Sequence, residues 1–164
     1  MNLNEYALDL LQNEKIKEFN EFRLKNLIFK PNLSGQNFSN KVLSNAFLNG
    51  AICTKANFSK SKLTKTNLVQ AELNECCFDF GDLTLGLFMY AEMKNCKVTN
   101  CSLNRTNFMW ADLSGSDFSG SKFEQTIFVE ANLNNAKLDD LKKDKAFTKY
   151  AKLANTSWNV QQQS

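Results

Sequence analysis

Residues 101–120 read CSLNR TNFMW ADLSG SDFSG, and this stretch decides the fold. The third residue of each group of five is Leu or Phe, and the first is Cys, Thr, Ala or Ser. Side chains two residues apart share one side of an extended segment, so each group points one large and one small residue the same way. A period of five fits neither the helical period of 3.6 nor the strand period of 2. The pattern therefore predicts short extended segments with a turn after every fifth residue.

The same spacing continues on both sides of this stretch. Every fifth position from Leu33 to Leu138 is apolar, giving 22 positions with 11 Leu, 8 Phe and one each of Cys, Met and Val. From Ala46 to Ala136, the residue two before each of them is Ala, Gly, Ser, Thr or Cys. The departures are confined to the start of the repeat: Pro31, Gln36 and Lys41. Self-similarity at a fixed period indicates a repeat architecture whose units stack on one another.

This pattern resembles the pentapeptide repeat family, whose motif is approximately Ala-(Asp/Asn)-Leu-x-x. The clear matches are Ala56-Asn57-Phe58, Ala111-Asp112-Leu113-Ser114-Gly115 and Ala131-Asn132-Leu133. The resemblance covers residues 31–140 and implies an all-β solenoid, a right-handed quadrilateral β-helix with four groups per coil and about 5.5 coils. Residues 20 apart should then stack. Seven of the eight core Phe residues do fall into two columns on opposite sides: Phe38, Phe58, Phe78 and Phe118, and Phe88, Phe108 and Phe128.

The two ends of the chain are predicted to be helical caps. Over residues 1–30, apolar spacing in residues 4–24 predicts helix, with Asn4 as its N-cap, a break at Asn13, and a hydrophobic plug over the first coil. Residues 141–164 are predicted to form a C-terminal helix with a frayed tail. Acidic residues precede this helix, and apolar residues recur at helical spacing within it: Asp139 and Asp140, then Leu141, Phe147, Tyr150, Ala151 and Ala154. Ala151-Lys152-Leu153 is also in frame with the repeat, as its last copy.

Composition excludes several functions. The chain has no His, which excludes His-based catalytic triads and zinc sites that need imidazole. No run of 18 apolar residues is present and no secretory signal opens the chain, so neither a membrane association nor export is expected. A net charge of +3 does not indicate nucleic-acid binding. No nucleophile has a base beside it, and the sequence predicts no enzyme, metal, cofactor or small-molecule substrate.

The five cysteines are predicted to be free thiols. Cys53 takes a large core position, Cys77 points outward, and the other three take small inward positions: Cys76, Cys96 and Cys101. Cys76 and Cys96 should be stacked neighbours whose side chains run parallel, a geometry that does not favour a disulfide. Free buried thiols imply a reducing compartment, the cytoplasm.

One side of the expected solenoid has apolar residues pointing outward. The candidate interaction surface comprises Phe47, Leu87, Met89, Tyr90, Met109, Trp110, Ile127 and Val129, and Val69 belongs to the same side. Tyr90 and Trp110 are 20 residues apart and should lie one above the other. Contiguous apolar surface usually marks a contact, and Trp, Tyr and Met are frequent interface residues. Three interpretations remain: a terminal helix covers this side, the protein self-associates through it, or a foreign protein binds it.

Two classes of function follow. The favoured hypothesis is a non-catalytic bacterial scaffold or protein-interaction module whose partner is another protein or a second copy. The alternative, implied by the family resemblance, is a DNA-mimicking binder of type II topoisomerase (gyrase) that confers quinolone protection. Duplex DNA carries one charge per roughly 1.7 Å, so a rod of about 26 Å should mimic about 15 charges. Residues 31–140 carry 11 Asp/Glu and 10 Lys/Arg, a net charge of −1. A secreted bacterial effector is a third reading that the sequence leaves open.

Overall fold

The computed structural model describes residues 2–138 and 141–159. Two helices come first, α1 (Leu3–Gln12) and α2 (Ile16–Lys25). From Asn32 onward the chain forms parallel backbone bridges, each of which joins residues 20 apart. The strands β1 (Thr126–Ile127) and β2 (Ala146–Phe147) pair in the same parallel register. The backbone thus repeats every 20 residues, which confirms the predicted stacking period, and we call each repeat of 20 residues a coil.

The bridges form four series, which we call ladders 1 to 4. They begin at Asn32, Asn37, Val42 and Phe47, respectively. In ladder 1, the N–H of Leu33 donates to the carbonyl of Ile52 at 2.6 Å, and the N–H of Ile52 donates to the carbonyl of Pro31 at 2.9 Å. The other ladders repeat this exchange, so each coil is joined to the next by backbone hydrogen bonds on every ladder.

The fifth residue of nearly every group turns the chain in the left-handed region, and we call these positions corners. Lys60, Tyr90 and Trp110, for example, have φ of 58°, 59° and 60°. The turn is closed by a short-range bond such as that from the N–H of Ser61 to the carbonyl of Phe58, at 3.1 Å. Left-handed backbone costs an L-residue about 1–2 kcal/mol, yet most corners are not Gly. The ladders on either side therefore impose the corner conformation on whatever residue occupies it.

The large residues of the repeat fill the interior. Of the 22 predicted core positions, 21 are buried, and Phe123 is half-buried. Phe58 stacks on Phe78 with ring centroids 5.3 Å apart and planes 8° from parallel. Phe78 also meets Phe88 of the other Phe column edge-on at 6.2 Å, an arrangement that aromatic rings favour. The two Phe columns therefore meet in the centre of the stack.

The small inward positions give the interior its polar groups. Thr66, Ser116 and Cys76 each donate to a core carbonyl 23 residues earlier, at 3.0, 2.6 and 2.9 Å. Each donor is buried. Because a buried hydroxyl needs a hydrogen-bond partner, the coil geometry explains why these positions accept Ser, Thr and Cys as well as Ala and Gly.

At the N-terminal end, the predicted helical region and its break at Asn13 are confirmed, but the predicted N-cap is wrong. Asn2 caps α1, accepting from the N–H of Glu5 at 2.9 Å, and Asn13 ends it. Asn4 lies on the open edge of the first coil instead, where its side chain accepts from the N–H of Asn32 at 2.6 Å and donates to its carbonyl at 2.9 Å. This amide replaces the coil that would otherwise lie below.

Asn20 and Arg23 of α2 close the same edge at Phe47. Asn20 Oδ1 accepts from the N–H of Phe47 at 2.8 Å, and Arg23 Nε donates to its carbonyl at 3.1 Å. Arg23 also donates to the carbonyl of Asn49 at 2.7 Å. Open sheet edges promote uncontrolled pairing, and side chains of α1 and α2 occupy this edge.

The predicted C-terminal α-helix is wrong over the described residues 141–159. A single 3-10 turn (Lys143–Lys145) precedes β2, and Lys152 then bridges Asn132, which confirms Ala151-Lys152-Leu153 as a copy of the repeat. The backbone pairs with the open edge of the last coil instead of forming intrahelical bonds, because that edge presents unpaired groups. The predicted frayed tail lies beyond Asn159, outside the described residues. Asp139 and Asp140 also lie outside the described residues.

Trp158 covers the C-terminal end of the core in place of the expected helix. It is 5% exposed, and its ring meets Phe123 and Phe128 edge-on at 5.8 and 6.2 Å. Its Nε1 donates to the carbonyl of Leu141 at 3.1 Å. An aromatic side chain thus closes the Phe column at this end.

We predict that Phe108→Ala lowers the free energy of unfolding by about 3–5 kcal/mol, because it leaves a cavity inside a closely packed column. Phe108 is fully buried between Phe88 and Phe128, at centroid distances of 5.1 and 5.3 Å. Phe80→Ala is the matched control, since Phe80 is 58% exposed, and its effect should stay within about 0.5 kcal/mol. Urea unfolding followed by circular dichroism measures both. Equal effects of the two substitutions would contradict this account of the core.

Candidate interaction surface

The candidate surface is the outward side of ladder 4, and we call it the apolar face. Along its middle runs the central column, which contains Phe47, Asn67, Leu87, Asn107, Ile127 and Phe147. Beside it lie Val69, Met89, Met109 and Val129, and the corners that follow include Tyr90, Trp110 and Tyr150. Because the side-chain order repeats with the 20-residue coil, like positions stack into columns. All eight residues predicted from the sequence lie on this face.

Tyr90 and Trp110 stack on each other at one edge of the apolar face. Their ring centroids are 4.7 Å apart and their planes are 13° from parallel. The residues remain 52% and 41% exposed, and Leu87 in the central column is 37% exposed. Two aromatic side chains therefore hold a fixed mutual geometry while each keeps much of its surface in water.

The described terminal segments do not cover Tyr90, Trp110 or Leu87. Helices α1 and α2 lie on the edge of the first coil, as the contacts of Asn4, Asn20 and Arg23 show. A groove of about 460 Å³ separates α2 from the first coil, and Leu24 and Phe47 are among its lining residues. Leu24, Leu27 and Ile28 are 60%, 75% and 97% exposed. Among the described residues, a terminal helix contacts this face only at Phe47, through α2, and leaves Tyr90, Trp110 and Leu87 exposed.

The structure adds to the apolar face two residues that were predicted to lie in the C-terminal helix. Phe147 is 56% exposed and follows Ile127 in the central column, and Tyr150 is 73% exposed at the corner two coils after Trp110. Lys149 Nζ lies 4.9 Å from the centre of the Tyr150 ring. The sequence carries a signal for both, since they stand at intervals of 20 from earlier members, but their spacing also fits a helix.

The other faces are held by polar contacts between successive coils. Lys97 pairs with Asp79 at 2.7 Å, and Lys137 pairs with Asp117 at 3.2 Å, both across ladder 2. None of the ion pairs formed by residues 2–138 and 141–159 includes a member of the apolar face. The exposed Phe80 and Leu85 stand at two other corners. Apolar side chains thus concentrate on the face of ladder 4.

The cysteines take the predicted positions as free thiols. Burial is the main cause that raises the pKa of Cys53, Cys96 and Cys101 to about 12, and it also raises the pKa of Cys76. Cys77 alone is half-buried. Within the described residues, no group of three or more Cys, Asp or Glu is placed to hold a metal ion. None of the described helices has the length and apolar character needed to cross a bilayer.

A family model described as "Pentapeptide repeats" matches the chain with 8 copies, at residues 32–64, 51–85, 91–128 and 106–140. These matches together cover more than half of the chain. No curated protein matches it.

Several solved structures are similar to the chain at low sequence identity. HetL, a pentapeptide repeat protein involved in heterocyst differentiation regulation in the cyanobacterium Nostoc sp. strain PCC 7120, is 18% identical, with 78% of this chain and 76% of HetL covered and a TM-score of 0.37. Full-length QnrB1, a plasmid-mediated fluoroquinolone resistance protein, is 20% identical, with 78% and 79% covered and a TM-score of 0.44. A pentapeptide repeat protein of the Arabidopsis thaliana thylakoid lumen is 25% identical, with 69% and 70% covered and a TM-score of 0.27.

We predict that an aromatic disulfide reagent at pH 8 modifies one thiol of the folded protein rapidly, Cys77, and all five after unfolding in guanidinium. The thiolate is the reactive form, and burial disfavours it at the other four positions. Cys77→Ser should remove the rapid phase and leave the total after unfolding at four. Rapid modification of two or more thiols in the folded protein would show that the coils open more readily than their packing indicates.

Proposed function

The chain belongs to the pentapeptide repeat family, and from this premise we propose that it is a non-catalytic scaffold that binds a protein through its apolar face. Proteins of this family are generally non-enzymatic structural or interaction proteins. They fold as right-handed quadrilateral β-helices. We assign that closed fold to this chain as part of the proposal, with a cap over residues 1–30 and about 5.5 coils over residues 31–140.

The exposed stack of Tyr90 and Trp110 is the observation that supports this proposal most strongly. These two rings stand at corners where the fold accepts a polar residue equally well. Lys60, Lys65 and Gln70 occupy equivalent corners with φ of 58°, 58° and 57°. The fold therefore does not require Tyr or Trp at these positions. Burial against another protein gives their apolar surface a role.

The neighbours of the stack make the surface continuous. Leu87 and Met89 lie beside Tyr90 in one coil, and Met109 lies beside Trp110 in the next. Ile127 and Val129 carry the surface into the following coil. Contiguous apolar area of this kind on an otherwise polar protein is typical of a protein contact, and Met side chains adapt well to a partner.

The charge distribution favours this function over DNA mimicry. Imitation of a duplex requires a dense column of negative charge. Residues 31–140 carry 11 acidic and 10 basic side chains, and several of the acidic ones are paired with Lys of a neighbouring coil, such as Asp79 with Lys97. Binding to type II topoisomerase as a DNA mimic therefore lacks the charge that it needs.

We further propose that the protein works in the reducing bacterial cytoplasm. Five Cys residues in 164 are free thiols, four of them buried in the core. Oxidising compartments favour disulfides in small domains, whereas this core uses thiols as small hydrophobic groups and as donors to carbonyls.

We predict that Trp110→Asp abolishes binding of the partner, because it removes half of the aromatic stack and leaves a carboxylate that the contact must desolvate. Phe80→Asp is the matched control. Phe80 is also an exposed aromatic residue at a left-handed corner, with φ of 59° against 60° for Trp110, but it stands off the apolar face. Both variants should keep the circular dichroism spectrum of the parent protein.

The measurement combines capture from an extract of the source organism with sedimentation of the purified protein, so that a foreign partner and a second copy are both detected. The proposal requires that Trp110→Asp loses a complex that Phe80→Asp retains. Equal behaviour of both variants and the parent protein in both assays would remove the apolar face as the binding surface.

A further inference from the structure

The apolar face is bounded by two corner columns of different character. The chain crosses this face in the same direction in every coil, since all bridges are parallel. The corners that precede the crossing form the basic corner column, with Lys65, Leu85, Arg105 and Gln125. The corners that follow it form the aromatic corner column, with Gln70, Tyr90, Trp110 and Glu130. One edge of the face therefore carries two cations, Lys65 and Arg105, and the other carries two aromatic rings and one carboxylate.

The character of the edges is fixed by contacts within each column. Arg105 Nε donates to Gln125 Oε1 at 2.9 Å, which holds the guanidinium along the basic corner column. Across the face, the Tyr90 ring is held against Trp110. The flank beyond the aromatic corner column carries Glu72, Glu92 and Asp112 in ladder 1, and Asp112 is paired with Lys94 at 3.5 Å.

From this asymmetry we propose that the occupant of the apolar face is a second copy of this chain, docked face to face with the two stacks parallel. The inference rests on the proposed function, because it names the partner of the same face. In this arrangement the two-fold axis runs along the stacks between the two faces. Such an axis brings each basic corner column against the aromatic corner column of the other copy, at the same level along the stack.

The facing positions are chemically complementary. Arg105 lies opposite Trp110 of the other copy, where a guanidinium can stack on an aromatic ring. Leu85, which is 37% exposed, lies opposite Tyr90, and Gln125 lies opposite Glu130. The two-fold axis forms each of these pairs twice.

The central column favours the same direction. A parallel axis places each residue of this column opposite its own copy, so that Leu87, Ile127 and Phe147 meet apolar groups. Asn67 then meets Asn67 of the other copy, and Asn107 meets Asn107. Each Oδ1 already accepts from the N–H of Val69 or Met109, and its second lone pair can accept from the facing amide nitrogen.

An antiparallel arrangement is opposed by both features. It sets the two basic corner columns against each other, so that Lys65 faces Gln125 and Arg105 faces Leu85, and neither cation meets an acidic or aromatic group. About the middle of the face it also sets Asn67 against Ile127 and Asn107 against Leu87, so that polar groups lose water without a partner. Charge and hydrogen bonding therefore select the parallel direction.

The closed ends of the stack favour association through a side. At the N-terminal edge, the backbone groups of Asn32 and Phe47 are satisfied by α1 and α2. At the other end Trp158 covers the core. End-to-end addition of another copy must first displace these segments, whereas side-to-side contact uses surface that is already exposed.

Position 70 provides the sharpest test, because it faces Lys65 of the other copy in the parallel arrangement. Gln70→Lys should weaken dimerisation roughly tenfold or more, since the repulsion occurs twice, and Gln70→Glu should tighten it severalfold. Adding Lys65→Glu to Gln70→Lys in one chain should restore the parent affinity. Lys already occupies the equivalent left-handed corners at positions 55, 60 and 65, so the fold tolerates the substitution.

Sedimentation equilibrium over a concentration series measures each dissociation constant, with Lys60→Glu as the control for a charge reversal at a corner off the face. Tightening by Gln70→Lys would overturn the parallel direction, because an antiparallel dimer sets position 70 near Glu130. A monomeric parent protein at every concentration would overturn the dimer itself. In that case the capture assay with Trp110→Asp and Phe80→Asp still decides whether the face binds a foreign protein.

Discussion

The parallel hydrogen bonds between residues 20 apart are the constraint on which the rest of the structure depends. Within the body of the stack, the N–H of a core residue donates to the next coil, and that of the residue before it donates to the previous one. This exchange fixes the direction of every coil and the level of every side chain, and it forces each corner into the left-handed region. The columns of the interior and of the surface are both consequences of this one register.

This hydrogen-bond register does not by itself limit the number of coils. Every coil offers the same donors and acceptors as the last, so a stack of finite length needs groups that imitate the missing coil. The side-chain amides of Asn4 and Asn20 do this at the first coil, since each accepts from a backbone N–H and donates to a backbone carbonyl. At the other end the aromatic ring of Trp158 covers the Phe column. Side chains thus take the place of the missing coil at the ends, whereas backbone hydrogen bonds join the coils within the body.

The sequence predicted the body and the N-terminal helical region, but not the C-terminal end or the role of Asn4, for a physical reason. Burial of Leu63 follows from the period of five, because that position points inward and must be apolar, and stacking of Phe58 on Phe78 follows from the coil of 20 residues. The C-terminal segment after Leu141 satisfies helical and repeat spacing together, and only the presence of an open coil edge decides between them. Asn4 likewise has the chemistry of an N-cap, and its distant partner at Asn32 leaves no local signal.

The apolar face could be located from the sequence because its outward residues are apolar, whereas most outward positions of the repeat are polar although the fold does not require it. Outward positions tolerate almost any side chain, as the range from Gly115 to Trp110 at left-handed corners shows. Because the repeat permits almost any outward residue, its core residues do not indicate function. Function is indicated instead by the outward columns that are apolar, and by differences between the two edges of such a face. On ladder 4 the two edges differ, and a surface with unlike edges has a direction along the crossing chain.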